Sequence, residues 1–190
     1  FSGLYLLLSL LKAKFRKSQR CLPLTKTVCA VNALVARSPS GQLNASVKDR
    51  IVRQLARMRM ACDAPQLVGL RPEAMALAER TGSPKLRELD RVLDDLLAQP
   101  TGRVVIASEW EKMLALVARR LKAKGLGHET LSGRMPTGRR RALASRFATD
   151  PALRVLLITD GADEDLDLSA AQTLGNLDVP WNPARREARI

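Results

Sequence analysis

The chain has 190 residues, of which 46% are hydrophobic but only 3% aromatic, so any core it buries is aliphatic, built from Leu, Val, Ile and Ala. Thirty-two Lys and Arg stand against nineteen Asp and Glu, a formal net charge of +13. That excludes a neutral, inert surface and points to polyanions, most simply nucleic acid, although RNA or anionic lipid would satisfy the same charge.

The longest apolar run, Leu4–Leu11, is broken by Ser9 and falls far short of the ~20 residues that span a bilayer. No basic residue precedes it and no small-residue cleavage site follows, so neither a signal peptide nor a membrane partner is expected. A first residue of Phe rather than Met reads as a fragment or a processed product. Leu4–Phe15 is expected as a leucine-rich helix overlapping the basic stretch Lys12–Arg20. Residues Ser38–Ser46 (SPSGQLNAS) have the composition of an exposed loop. Beyond it, Val47, Ile51, Val52, Leu55 and Met58 recur at helical spacing with Arg53, Arg57 and Arg59 interleaved. This helix should end near Asp63–Ala64, because Pro65 disfavours helical geometry at the preceding residue. Cys21, Cys29 and Cys62, with the single histidine His128, are too few and too scattered for a disulfide framework or a four-ligand zinc site, so reduced thiols and no metal are expected.

From residue 83 the pattern alternates between helix and strand. Ser83 is a suitable N-cap with Pro84 at the first helical position, and Leu86, Leu89, Val92, Leu93, Leu96 and Leu97 form an apolar face that runs to Pro100. A strand is expected at Arg103–Ala107. A helix then starts at Glu109 with Trp110, Met113, Leu114, Val117 and Leu121 on its face, and Gly125 and Gly127 stop it. A short strand at His128–Leu131, a helix at Thr137–Ala148 and a non-alternating, hence buried, strand at Leu153–Ile158 follow. A last strand is expected around Thr173–Asp178. Strand and helix alternating with short turns make an α/β layer on a parallel sheet, whose ligands gather at the carboxyl ends of the strands. Those ends are Ser108, Leu131–Arg134, Thr159–Asp165 and Asp178–Trp181.

Charge is uneven along the chain. Residues 1–80 hold 14 basic and 4 acidic residues, residues 81–158 hold 15 and 8, and residues 159–190 hold 3 and 7. The acidity of the last segment comes largely from Asp160–Asp167, so a basic body carries one acidic loop. No GxxxxGK[ST] phosphate loop, no apolar run ending in Asp-Glu that would hold magnesium, and no nucleophile signature is present.

The ordered motifs of residues 83–190 resemble the second RecA-like motor lobe of the Swi/Snf-related ATPases of helicase superfamily two, most closely the bacterial branch. RVVIASEW (103–110) resembles the family's KVVVFSEW, and LSGR (131–134) stands where the family has a TGS-like loop. Arg140, Arg141, Phe147 and Asp150–Pro151 follow its RR…RF…DP pattern, RVLLITD (154–160) resembles RVFLSTD, and NLDVPWNP (176–183) resembles NLDLPWNP. Upstream, LPLTK (22–26) and MRMACDAP (58–65) resemble the RPLTK and MRMLCDTP of the region ahead of this lobe.

The resemblance implies an α/β, RecA-like parallel-sheet lobe at 83–190, truncated before the end of motif VI and preceded by a helical linker at 1–82. It implies backbone contacts to duplex DNA from Ser108, Ser132, Gly133, Arg134 and Thr159, without sequence preference. Asp160, Gly161, Asp165, Asp167 and Arg189 would face the nucleotide side of the cleft. No catalytic residue is expected within the chain, because the arginine finger falls beyond Ile190. ATP with Mg2+ would act in the complete motor, closing this lobe on a first RecA-like lobe carried by a longer chain, and neither would bind this chain tightly. The implied location is cytoplasmic and nucleoid-associated. One departure stands out: TDGADEDLDL (159–168) replaces the family's TDAGGVGLNL, exchanging three glycines for Ala162, Asp163 and Asp165. Glycine there allows positive φ and close approach to phosphate, and carboxylates repel it. An inactive, basic nucleic-acid-binding remnant is therefore the alternative, with a protein-binding structural module as a third option.

Overall fold

A computed structural model describes residues 29–33, 44–69, 72–159 and 166–180. The expected helix at Leu4–Phe15, the LPLTK motif, most of the Ser38–Ser46 loop and most of the acidic loop lie outside them. The chain divides into two units, residues 1–69 and 70–190.

In the first unit, helix α1 spans Ala45–Asp63. Asn44 caps it, its Oδ1 accepting the Val47 N–H at 2.9 Å, which satisfies one of the four N–H groups that a helix start leaves open. The helix ends where the sequence predicts: Ala64, ahead of Pro65, is extended (φ −155°, ψ 129°) and a 3-10 turn follows over Pro65–Val68. Ile51, Met58, Ala64 and Leu67 are buried. Val52, expected on the apolar face, is 58% exposed; it stands one residue, about 100° of rotation, round the helix from Ile51.

The second unit opens with α2 (Pro72–Thr81), which the sequence reading did not single out, and α3 (Pro84–Leu96). Ser83 caps α3, accepting the Leu86 N–H, with Pro84 in the first turn. Then come β1 (Val104–Ser108), α4 (Glu111–Ala123), β2 (His128–Leu131), α5 (Thr137–Thr149), β3 (Val155–Thr159) and β4 (Thr173–Asn176). The four strands form one sheet in the order β2-β3-β1-β4, and every pairing is parallel. All β-α-β grammar read from the sequence is present, with β1 and β3 beginning one to two residues later than expected. Trp110 precedes α4 as its N-cap, so the buried face of that helix is Met113, Leu114, Val117 and Leu121.

The central strands β1 and β3 are buried at every position, which is why their sequences lack alternation. On one face Val105, Ala107, Leu131, Leu153, Leu156 and Ile158 surround Phe147 of α5. On the other, α4 lies against β1, β2 and β3. Ion pairs tie α3 to α4: Arg120 with Asp90, and Lys124 with Asp94 at 2.5 Å. Two arginines finish the amino-terminal end of the sheet. Arg103 lies over the Phe147 ring and donates to the carbonyls of Phe147, Asp150 and Leu153. Arg154 donates to the carbonyls of Leu97, Gln99 and Gly102. Gly125 has φ +69°, a conformation costly for residues with a Cβ. At Gly127 a Cβ would sit 1.7 Å from the Ala152 carbonyl oxygen, so only glycine lets α4 turn into β2 there.

Candidate functional site

In a parallel sheet the strand ends that carry loops to the same side are those in register. Ser108 of β1 pairs with Thr159 of β3, Leu131 of β2 with Ile158, and Ala107 with Asn176 of β4. The carboxyl ends of all four strands therefore meet in one row. Three of the five expected DNA-contact residues, Ser132, Gly133 and Arg134, lie in a loop that leaves it, and the other two, Ser108 and Thr159, are the last residues of β1 and β3.

The β2–α5 loop carries Ser132, Gly133 and Arg134. Gly133 donates its N–H to Thr159 Oγ1 at 3.1 Å, joining this loop to the end of β3. Arg134 donates its N–H to Ser132 Oγ at 3.3 Å, and Met135 donates to the Ser132 carbonyl at 2.9 Å, so a tight turn presents the Arg134 side chain outward. That side chain is 87% exposed, with Nε 3.6 Å from Glu111 Oε1 in the first turn of α4. Ser132, Gly133, Arg134 and Thr159 are thus one cluster. Glu111 stands beside it, an acidic partner that the sequence reading did not assign.

Ser108 sits differently. It is fully buried, and its hydroxyl donates to Asp178 Oδ2 at 2.5 Å. Asp178 Oδ1 accepts the Glu109 N–H at 2.9 Å, and Ser108 Oγ accepts the Trp110 N–H at 3.1 Å. A buried carboxylate with two donors is the arrangement that offsets the cost of removing its charge from water. Asp178 therefore fastens the β1–α4 turn to the end of β4. Next to it, Lys85 Nζ of α3 donates to the Leu177 carbonyl at 2.6 Å. Neither Asp178 nor Lys85 was assigned a role from sequence. The available signal was an acidic residue placed directly after the apolar end of a predicted strand, where a charge has to find buried donors.

On the nucleotide side, Asp160, Gly161, Asp165 and Arg189 lie outside the described residues. Asp167 is exposed and accepts the Ser169 N–H at 2.9 Å; the Ser169 hydroxyl, followed by that N–H, holds its carboxyl below the usual range. Among the described residues no group of three or more His, Cys, Asp or Glu could hold a metal ion, and no helix is long and apolar enough to cross a membrane.

At the amino end of α5, Pro136 occupies the cap position with no side-chain cap, no acidic residue lies in the first turn, and Arg139, Arg140 and Arg141 follow. The N–H groups and the arginines give this end of the lobe a positive face.

Residues 84–190 match the model of the helicase conserved C-terminal domain. Among curated proteins, the DNA repair and recombination protein RDH54 of Saccharomyces cerevisiae is 26% identical over 177 residues, 86% of this chain and 19% of that protein. The chromodomain-helicase-DNA-binding protein 1-like of Danio rerio is 29% identical over 141 residues, 73% of this chain and 14% of that protein. The chain thus spans under a fifth of the length of these relatives. Among solved structures, the Sulfolobus solfataricus SWI2/SNF2 ATPase C-terminal domain superposes with a TM-score of 0.62 at 17% identity, covering 84% of this chain and 70% of that one. The SWI2/SNF2 ATPase core from the same organism, in complex with dsDNA, gives 0.67 at 18% identity, covering 88% and 34%. At such identities the likeness is one of fold.

Proposed function

The chain belongs to the helicase conserved C-terminal domain family and carries a Snf2-type lobe, and on that premise we propose that it serves an ATP-dependent DNA translocase of the Swi/Snf type. In this reading residues 83–190 are the second motor lobe and residues 1–82 the helical region leading into it. The lobe supplies one half of a track for the duplex backbone and one wall of the ATP cleft. The motif wording supports the bacterial branch, and with it a cytoplasmic, nucleoid-associated protein.

The observation that carries the reading is the Gly133–Thr159 hydrogen bond, which joins the β2–α5 loop to the end of β3 in a single polar cluster. Thr159 Oγ1 accepts from Gly133 and keeps its own proton for a phosphate oxygen. Ser132 offers a hydroxyl and Arg134 an exposed guanidinium. Short donors and a cation fix register on a phosphate backbone without reading bases. Ser108 acts through the turn that Asp178 holds rather than through its hydroxyl.

ATP and Mg2+ would act in the complete motor, whose two lobes would close on the bound nucleotide. The described residues do not by themselves form a site for either. The reading keeps Asp160, Gly161, Asp165, Asp167 and Arg189 on the nucleotide side, and places the phosphate-binding loop and the magnesium ligands on a facing first lobe. The purified chain alone is then expected to show no DNA-stimulated ATP hydrolysis.

A second reading, an inactive basic remnant, is favoured by one feature: the glycines expected after Thr159 are replaced by Ala162, Asp163 and Asp165. Fluorescence anisotropy with two duplexes of unrelated sequence tests the DNA reading. Expected are equal affinities and a loss of roughly three- to fourfold per phosphate contact between about 50 and about 200 mM salt. Arg134→Gln should reduce that loss by about one contact. Strong discrimination between the duplexes, or binding unmoved by salt, would contradict it.

A further inference from the structure

Helix α1 carries a feature that the strand-end cluster does not use. Arg50, Arg53 and Arg57 are spaced i, i+3 and i+7, and all three are exposed. At 3.6 residues per turn they fall within about 60° of the helix circumference, and at 1.5 Å per residue they extend over about 10.5 Å of its length. The apolar residues Ile51 and Met58 are buried on a face turned away from this stripe. Two of the arginines are held in place. Arg53 is paired with Asp49, one turn earlier, and Arg57 donates to the Val68 carbonyl of the 3-10 turn at 3.4 Å. Among the described residues Arg50 has no charged partner, and Asp49 is the only carboxylate paired with the stripe.

We infer that this stripe is a second polyanion contact, in the first unit of the chain, and that its ligand is the phosphate backbone of duplex nucleic acid. It shares the ligand class of the proposed function but none of its residues. Charge complementarity carries the assignment. Three guanidiniums along one line match a row of phosphates, and each can bond an oxygen pair in a forked geometry. A membrane surface is the poorer occupant. A helix that lies on lipid inserts its apolar face, whereas Ile51 and Met58 are already buried in the protein. Asp49 sets the strength of the contact, because it withdraws part of the Arg53 charge.

The test is a salt titration of duplex binding by the full 190-residue chain, comparing wild type with the combined Arg50→Gln, Arg53→Gln and Arg57→Gln variant. At about 0.9 in log–log slope for each phosphate neutralised, the variant should be shallower by about 2 to 3, and weaker at low salt by an order of magnitude or more. Asp49→Asn is the complementary variant and should tighten binding at low salt; it remains informative if the triple variant folds poorly. If the triple variant and wild type overlay while Arg134→Gln still weakens binding, the stripe is overturned and the strand-end reading stands. If Arg134→Gln has no effect but the stripe variant does, the stripe stands alone. Loss of binding to phosphatidylserine vesicles in the triple variant, with duplex binding unchanged, would overturn the nucleic-acid assignment in favour of a membrane.

Discussion

Removing the Asp178 carboxylate should be among the most damaging single changes outside the aliphatic core. The side chain is 5% exposed and accepts from the Ser108 hydroxyl and the Glu109 N–H. Hydrogen bonds to a charged group contribute about 1.5 to 3 kcal/mol each, and a buried donor left without its partner loses that and its solvation. Asp178→Ala should therefore cost about 3 to 5 kcal/mol, a large share of the 5 to 15 kcal/mol by which domains are typically stable. Asp178→Asn keeps one acceptor oxygen and should cost about half as much. Urea unfolding followed by circular dichroism gives both values, and a cycle with Ser108→Ala isolates the pair, whose coupling should be about 1.5 to 3 kcal/mol. A cost for Asp178→Ala within about 0.5 kcal/mol of zero, or no coupling in the cycle, would refute the claim that this carboxylate fastens the β1–α4 turn.

Gly175 lies inside β4, where a Cβ would meet nothing closer than the Val105 carbonyl at 3.9 Å; Gly175→Ala should raise stability by about 0.5 to 1 kcal/mol in the same unfolding assay. The N–H of Ala152, and then Arg146, hold the Asp150 carboxyl below the usual range, so its contribution is complete at neutral pH and lost as pH falls through that lowered value. The decline in Tm below about pH 4 should accordingly be shallower in Asp150→Asn than in wild type. Restoring glycine at Ala162, Asp163 and Asp165 removes two carboxylates from the segment that follows β3, and should tighten duplex binding by about tenfold at low salt and by less at high salt. Superimposable low-salt titrations would show that the segment does not oppose the duplex.

The sheet was legible because its central strands are continuous apolar runs and its helices carry caps and stops in the chain itself. Ser83-Pro84 opens α3, Gly125 closes α4, and Pro65 ends α1. Helix α2 was less legible: its start at Pro72 follows a segment with no periodic apolar face. The spacing puts Trp110 on the face of a helix that starts at Glu109, but the bonds of Ser108 and Asp178 hold the turn open two residues longer, to Glu111. The candidate site was legible as motifs and not as contacts. Which of Ser108, Ser132 and Thr159 keeps a free hydroxyl depends on partners far along the chain, Asp178 for the first and Gly133 for the last. No local pattern encodes those pairings. The acidic partner Glu111 was invisible for the same reason: it meets Arg134 across 23 residues of sequence.

The central claim is that the carboxyl ends of the strands face the duplex. Amide hydrogen exchange of the 190-residue chain, with and without a duplex at low salt, tests it most directly. Slowed exchange is expected in peptides covering 131–137 and the end of β3 at Thr159, with no change at the opposite end of the sheet. Protection confined to that opposite end, at 98–103, 124–127 and 150–154, would contradict it.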